Sequence, residues 1–236
     1  MIVIKNKEDC CGCTACASTC PQKCIIMKED TEGFLYPNVE VTKCIECNLC
    51  VRVCPVIGKD KTIAHPEKSK EEINRHAICN ALVNPNAYVC FLKDQETRNN
   101  STSGGVFSAL ARYVLEKNGV IYGVILDDNL KVIHSSASCE EQLNAMRRSK
   151  YVQSNQVGIY SEIRGLLTNG RTVFYSGTPC QVEGLKSYLG KSYKNLITVD
   201  IVCHGVGSPA VWSKYLEESS RRMGAKIKEV HFREKT

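Results

Sequence analysis

The chain has 236 residues, of which 43% are apolar, and a formal net charge of +6. Because no uninterrupted apolar run approaches the roughly 20 residues of a membrane-spanning helix, no membrane span is predicted. The basic residues are scattered, which excludes nucleic acid as the expected partner. The first residues form no apolar signal region, so we expect a cytoplasmic protein.

Two similar cysteine runs dominate the first part of the chain. Each has the form Cys-x2-Cys-x2-Cys-x3-Cys-Pro, the first from Cys10 to Pro21 and the second from Cys44 to Pro55. This is the bacterial ferredoxin pattern for two [4Fe–4S] clusters, in which the last cysteine of each run binds the other cluster. The predicted ligands are Cys10, Cys13, Cys16 and Cys54 for cluster one, and Cys20, Cys44, Cys47 and Cys50 for cluster two.

The alternatives to iron–sulfur clusters explain the pattern less well. Zinc would account for two Cys-x2-Cys elements but not for a third evenly spaced cysteine and a Cys-Pro step in both runs. Disulfides would require an oxidising compartment. Cys11 and Cys24 fall outside the spacing, and we expect them to be small buried apolar side chains.

A change of composition divides the chain into two domains. Residues 59–76 are charged and polar and contain a proline, which is typical of a linker. We therefore predict a two-cluster ferredoxin-type domain of the α+β class at 1–58 and a larger domain at 77–236.

In the larger domain, apolar runs typical of strands alternate with amphipathic helices. The predicted strands lie at 87–92, 120–126, 130–134, 172–175, 196–202 and 226–232, and the predicted helices at 102–118, 140–147, 157–168, 179–189 and 210–221. This alternation predicts an α/β domain with a mainly parallel sheet. Because the last strand lies close to the end of the sequence, we expect an incomplete domain with a bare sheet edge that favours oligomers. The core is expected to include Cys79, Cys90 and Cys139.

Three turns with small residues precede predicted helices, at Ser103–Gly105, Ser176–Gln181 and Cys203–Ser208. Exposed amides at the start of a helix suit an anion such as a cofactor pyrophosphate, and ligands of parallel sheets bind where the strands end. Cys203 and His204 are candidate catalytic residues for redox chemistry or proton transfer. A purely structural role for this pair, at a strand end and in a loop, remains equally open.

Three segments resemble the coenzyme F420 hydrogenase/dehydrogenase beta-subunit family, specifically its bacterial branch with a fused two-cluster ferredoxin. They are Ser-Lys-Tyr-Val-Gln-Ser at 149–154, Ser-Gly-Thr-Pro-Cys-Gln at 176–181 and Asp-Ile-Val-Cys-His-Gly at 200–205. The resemblance implies a flavoprotein that passes electrons between iron–sulfur clusters and a second redox partner through FAD. Carried over residue by residue, it implies an FAD site made of Ser103, Gly104, Gly105, Lys150, Gln153, Ser154, Gly177, Thr178 and Cys180.

The resemblance and the cysteine runs together predict an iron–sulfur flavoprotein oxidoreductase. Its partner would be a redox protein or a small-molecule electron acceptor, because wider family members act on a deazaflavin coenzyme, on a chlorophyll derivative or on associated subunits. The alternative is an electron-carrier subunit with no substrate of its own, which would lack flavin. Relatives carry further cysteines beyond Phe232 and Arg233, so a third cluster here would need more ligands than Cys180 and Cys203.

Overall fold

The computed structural model describes residues 1–59 and 86–233, and the first of these ranges contains the two cysteine runs. Nearly all of the predicted linker at 59–76, and Cys79, lie outside the described residues. The first range contains helices α1 (Ala15–Thr19) and α2 (Leu49–Arg52) and strands β1 (Ile25–Glu29) and β2 (Leu35–Val39). Short 3-10 helices lie at Lys7–Asp9, Val41–Lys43 and Ile57–Lys59.

The internal repeat of the sequence appears as a structural repeat. In each cysteine run a residue with a left-handed backbone, Thr14 (φ 64°) or Asn48 (φ 56°), directly precedes a short helix. Strands β1 and β2 form an antiparallel hairpin between the two runs. The hairpin turn is closed by the Asp30 carboxylate, which accepts hydrogen bonds from the amides of Glu32 and Phe34.

The second range is an α/β unit. Its helices are α3 (Gln95–Asn99), α4 (Val106–Leu115), α5 (Glu140–Met146), α6 (Ile159–Thr168), α7 (Pro179–Leu189) and α8 (Pro209–Met223). Its strands are β3 (Val120–Leu126), β4 (Val132–Ala137), β5 (Val173–Gly177) and β6 (Leu196–Asp200), in the order β4-β3-β5-β6. Strands β3, β5 and β6 are parallel and β4 is antiparallel, so the predicted mainly parallel sheet is confirmed.

Helices cover both faces of the sheet. On one face, Ala111 and Val114 of α4 and Leu143 of α5 pack around Phe174. On the other face, side chains of α6 and α7 pack around Tyr175. The core of this second face also contains Cys13 and Ala15 of the first cysteine run, so the two predicted domains share one hydrophobic core.

Two predicted strands are wrong. Residues 87–92 form no strand, with Tyr88 and Val89 exposed, and residues 226–232 form no strand either. An apolar run becomes a strand only where a neighbouring strand edge is available. In the first run the Leu92 amide instead donates a hydrogen bond to the Gly104 carbonyl of a loop, and in the second run Phe232 packs on Trp212.

The prediction that Cys90 and Cys139 lie in the core is also wrong, because both are exposed. Cys90 belongs to the unpaired segment, and Cys139 precedes the first residue of α5 at the surface.

Candidate iron–sulfur and electron-transfer site

The first candidate cluster site is a cavity lined by Cys10, Cys13, Cys16 and Cys54. The last of these comes from the second cysteine run, and the other three come from the first. Its apolar wall is formed by Ile2, Ile4, Met27 and Val56. We call this cavity the cluster-one site.

The second candidate site is a separate cavity with the reciprocal composition. It is lined by Cys44, Cys47 and Cys50 of the second run and by Cys20 of the first, with Cys24 as a fifth cysteine. Its apolar wall is formed by Met1, Ile25, Val39, Ile45 and Leu49. We call this cavity the cluster-two site. The structure thus groups the cysteines into the two sets that the crossed ferredoxin pattern assigns.

The two donor sets fit [4Fe–4S] clusters. Within residues 1–59 and 86–233, no three His, Cys, Asp or Glu side chains are arranged around a single metal ion. The eight thiols are instead spread around two cavities, as a cubane requires, because each of its irons takes one thiolate. Burial raises the pKa of Cys16 to about 12, so iron binding must displace the proton of this thiol.

The two sites differ in their surroundings. Cys47 and Ile45 of the cluster-two site are exposed to solvent. Cys13 of the cluster-one site is only 7% exposed and packs against the α/β unit. The cluster-two site is therefore the more accessible of the two to an external redox partner.

Helix α7 contacts the cluster-one site directly. A Cβ added to Gly184 would lie 3.0 Å from both Cβ and Sγ of Cys13, so only glycine fits here without displacement of a neighbour. The side-chain amide of Gln156 donates a hydrogen bond of 3.0 Å to the Cys13 carbonyl. These contacts fix the position of the first cysteine run on the α/β unit.

A pair of cysteine thiols outside the two ligand sets meets at the same interface. Cys11 interacts with Cys13 and with Cys180, which lies in the first turn of α7. The hydrogen bond with Cys13 is the largest cause that raises the pKa of Cys11 to about 12. The hydrogen bond with Cys11 in turn raises the pKa of Cys180, whose Sγ lies 3.1 Å from Oγ1 of Thr178. Both groups are therefore neutral thiols at physiological pH.

A chain of buried hydrogen bonds lies behind this contact. Tyr175 donates to Oε1 of Gln156 at 2.6 Å, the amide of Gln156 donates to the Tyr160 hydroxyl at 3.1 Å, and Tyr160 donates to the Gln181 carbonyl at 2.6 Å. Every donor in this chain has an acceptor, which is what a buried polar network needs to be stabilising.

The series of hydrogen bonds continues to a buried histidine, His134. Nε2 of Gln181 donates to Oγ of Ser154 at 3.0 Å, and this hydroxyl lies 2.9 Å from Nδ1 of His134. Nε2 of His134 lies 3.2 Å from the Ser176 carbonyl, which can only accept, so Nε2 carries the proton. Burial lowers the pKa of His134 to about 4, and the ring is neutral.

The structure separates the sequence-predicted FAD residues into groups. Gly177 is the last residue of β5, and Thr178 and Cys180 follow it, at the edge where the parallel strands β3, β5 and β6 end, which we call the carboxyl edge. Oε1 of Gln153 accepts the Leu35 amide at 3.3 Å, so this side chain joins the two units. Ser154 is buried in the hydrogen-bond chain described above.

The remaining predicted FAD residues lie near one another. The Ser149 amide donates to Oγ1 of Thr102 at 3.0 Å and so brings Lys150 to the turn that contains Ser103, Gly104 and Gly105. Nζ of Lys150 donates to the carbonyls of Ala145 (3.0 Å) and Arg147 (2.7 Å) at the end of α5. Burial lowers the pKa of Lys150 to about 8.

The predicted catalytic pair lies on the loop after β6. His204 is exposed, and Sγ of Cys203 lies 3.4 Å from the Gly205 amide. Because β5 and β6 are adjacent and parallel, this loop and the Gly177–Cys180 turn lie on the same carboxyl edge.

Sequence reasoning missed His134, Gln156 and Tyr160. All three are buried, and the hydrogen bonds that identify them join residues far apart in the chain. Their only signal in the sequence is that Gln156 lies just beyond the 149–154 segment.

Two cysteine-lined cavities, the first of them packed directly on a parallel-sheet domain, define an iron–sulfur electron-transfer protein. Residues 9–58 match the model of the 4Fe-4S dicluster domain. Residues 87–159 and 170–236 match the models of the N-terminal and C-terminal parts of the coenzyme F420 hydrogenase/dehydrogenase beta subunit. The chain belongs to this beta-subunit family and carries a 4Fe-4S dicluster domain ahead of the family's two parts.

Curated relatives resemble limited parts of the chain. An uncharacterized ferredoxin of Methanocaldococcus jannaschii is 30% identical over 73 residues, which is 31% of this chain and 94% of the relative. NADH-quinone oxidoreductase subunit I 2 of Geobacter metallireducens is 37% identical over 59 residues, which is 23% of this chain and 45% of the relative. In the described residues, no helix has the length and apolar character needed to cross a membrane.

Proposed function

We propose that this protein is an iron–sulfur flavoprotein oxidoreductase with an FAD site at the carboxyl edge. The observation that carries the proposal is the direct contact of the first cysteine run with the turn after β5, where Cys11 meets Cys180 and Cys13 meets α7. This contact places the cluster-one site next to the residues that family resemblance implies for FAD. The cluster-two site is left on the solvent side for a redox partner.

The residues at the carboxyl edge are suited to a flavin. Turns with small residues at the ends of parallel strands suit a pyrophosphate, and Lys150 supplies a cation. Ile201 and Val202 are exposed just beyond β6, and Tyr151 is half exposed nearby, so an apolar ring would cover surface that is otherwise in water. When bound, FAD would convert between one-electron and two-electron transfer.

The proposal revises the roles of two implied FAD residues. Gln153 is hydrogen-bonded to Leu35 and Ser154 to His134, so we assign both residues a structural role that fixes the position of the carboxyl edge. Contact with the flavin is assigned to Ser103, Gly104, Gly105, Lys150, Gly177, Thr178 and Cys180. Cys203 and His204 are placed on the substrate side. The dicluster unit is assigned to 1–58 and the flavin unit to 77–236.

The competing function is an electron carrier without a substrate of its own. It is favoured by the observation that Lys150, Gln153 and Ser154 already have protein partners. These partners occupy groups that a flavin would otherwise use.

Cofactor content separates the two functions. Protein purified without oxygen is expected to contain about eight irons and about eight acid-labile sulfides per chain, with FAD released on denaturation. Cluster absorption without any released flavin would establish the carrier function instead. About 12 irons per chain would indicate a third cluster.

A further inference from the structure

A buried hydroxyl group at the cluster-one site has no hydrogen-bond partner. Thr14 lies between the predicted ligands Cys13 and Cys16, is only 1% exposed and lines the cavity. Within residues 1–59 and 86–233, its Oγ1 is the only fully buried side-chain nitrogen or oxygen atom without a hydrogen bond. A buried hydroxyl group that lacks a partner destabilises a fold, so its presence here requires an explanation.

The backbone of Thr14 is unusual as well. Its φ of 64° is left-handed, which is unfavourable for a β-branched side chain. Thr14 directly precedes α1, where the hydroxyl group of a threonine usually accepts a hydrogen bond from an amide of the first helical turn, but here it accepts none. Both features are unfavourable in the protein without a cofactor, and strain of this kind at a binding site indicates a functional role.

The second cysteine run provides an internal comparison. Asn48 occupies the equivalent position between Cys47 and Cys50, and its backbone is also left-handed, with a φ of 56°. Asparagine adopts this conformation more readily than threonine does. The Asn48 side chain is exposed, and its Oδ1 accepts a hydrogen bond of 2.8 Å from the amino group of Met1. The left-handed turn is therefore common to both runs, whereas the buried hydroxyl group belongs to the cluster-one site alone.

We propose that the hydroxyl group of Thr14 donates a hydrogen bond to a sulfur atom of the cluster in the cluster-one site and thereby raises the reduction potential of that cluster. Besides the cysteines, the cavity is lined by apolar residues and by Asp9, and the Asp9 carboxylate accepts a hydrogen bond from Asn6 instead. A cluster sulfur is therefore the acceptor that cluster binding would bring to Thr14.

The direction of the effect follows from charge. Reduction makes the cluster more negative, and a hydrogen-bond donor stabilises the more negative state more strongly, so hydrogen bonds to the sulfurs raise the potential. A higher potential favours electron occupancy of the cluster that lies next to the α/β unit. The inference concerns the dicluster unit alone and holds whether or not FAD binds.

The test compares variants of the full chain purified without oxygen. Thr14→Val keeps the branched shape without the hydroxyl group, Thr14→Ser keeps the hydroxyl group, and Thr14→Ala has neither. Redox titrations are followed by electron paramagnetic resonance. In the valine and alanine variants, the equilibrium constant for reduction of one cluster should fall about three- to tenfold, which is about 30–60 mV for one electron. Thr14→Ser should stay within about twofold of the parent, and Asn48→Ala, the matched control, should leave the potential of this cluster unchanged.

The hydroxyl proton itself gives a second readout, because it exchanges with solvent deuterium faster than the amide protons of a buried backbone do. Electron–nuclear double resonance of the reduced cluster should show a coupled proton that brief exposure to D2O removes in the parent and in Thr14→Ser. This signal should be missing from Thr14→Val.

Three results would overturn the proposal. The first is a potential of Thr14→Ser that equals that of Thr14→Ala to within about twofold in the equilibrium constant. The second is a rapidly exchanging coupled proton that persists in Thr14→Val. The third is a loss of iron from Thr14→Ser as large as that from Thr14→Ala, which would assign Thr14 to packing alone.

Discussion

The side-chain amide of Gln156 donates a hydrogen bond to the main-chain carbonyl of Cys13 across 143 residues of sequence. The same side chain accepts from Tyr175 at the centre of the α/β core. A predicted ligand residue of the cluster-one site is therefore held by the sheet domain itself.

Replacement of Gln156 by leucine should weaken this attachment. The change leaves the Cys13 carbonyl and the Tyr175 hydroxyl buried without their partner, and each such group costs about 1–3 kcal/mol. We expect the thermal midpoint of the cluster-loaded protein to fall by several degrees. Gln95→Leu on the exposed helix α3 is the control and should leave the midpoint nearly unchanged. Equal midpoints for the two variants would show that the hydrogen bond does not attach the units.

Two helical glycines give opposite predictions for the same substitution. Gly184→Ala places a methyl group 3.0 Å from Cβ and Sγ of Cys13, so the cluster-one site must shift. Gly165→Ala on α6 meets nothing within 4 Å and should stabilise the protein by about 0.5–1 kcal/mol through helix propensity.

We expect Gly184→Ala to lower the midpoint of thermal unfolding and to alter the electron paramagnetic resonance signal of the reduced cluster in the cluster-one site. Gly165→Ala should raise the midpoint of thermal unfolding and leave that signal unchanged. A rise in the midpoint for both variants would mean that the interface has room for a methyl group and that the contact with Cys13 is loose.

His134 makes stability depend on pH below neutrality. Burial lowers the pKa of the folded protein's histidine to about 4, whereas the unfolded value is 6.5. Between these values the unfolded chain binds a proton that the folded chain does not, so stability falls as the pH decreases from 6.5 to 4. The full loss from this residue is roughly 3 kcal/mol, and above pH 6.5 it contributes no pH dependence.

His134→Gln should have a flatter dependence of the thermal midpoint on pH in this window, at the cost of a lower midpoint at pH 7. Both proteins carry the same clusters, so acid damage to iron–sulfur bonds affects both curves and cancels in the difference. Parallel curves for parent and variant would show that His134 is not the titrating group.

The sequence could predict those parts of the structure that depend on local pattern. Cysteine spacing indicated which thiols share a cavity, because a repeat of fixed spacing folds in the same way twice. The strand–turn–helix segment from Val173 to Leu189 was correct because its apolar run is followed by a proline-initiated helix with a capping box at Thr178 and Gln181.

Features that depend on tertiary pairing could not be predicted. The apolar run around Val89 is typical of a strand, yet it has no neighbouring strand edge in the described residues and stays exposed. Gln156 and His134 became recognisable only once folding had placed them beside Cys13 and Ser176. The interface between the two units could not be predicted for the same reason. The polar segment at 59–76 predicts two separate domains, but it does not predict that they share a hydrophobic core.

Lys150 tests the FAD site most directly. Its ammonium group donates to the carbonyls of Ala145 and Arg147 and has a third proton, which the proposed function assigns to an anionic group of FAD. Lys150→Met keeps the apolar stem and removes the charge, so we expect FAD affinity to fall about tenfold, as for the loss of a hydrogen bond to a charged group. Iron content should not change. Lys117→Met, beyond the opposite end of α4, is the matched control.

The pH dependence of FAD binding separates this role from simple capping of α5. Because burial lowers the pKa of Lys150 to about 8, the ammonium group loses its proton as the pH rises through that value, and an anionic ligand loses its cation. We expect the FAD affinity of the parent protein to decrease between pH 7 and pH 9, measured by flavin fluorescence on titration. The Lys150→Met curve should be flat in the same range. A parent affinity that is constant across this range, or a variant that binds FAD as tightly as the parent at pH 7, would assign Lys150 to the end of α5 alone.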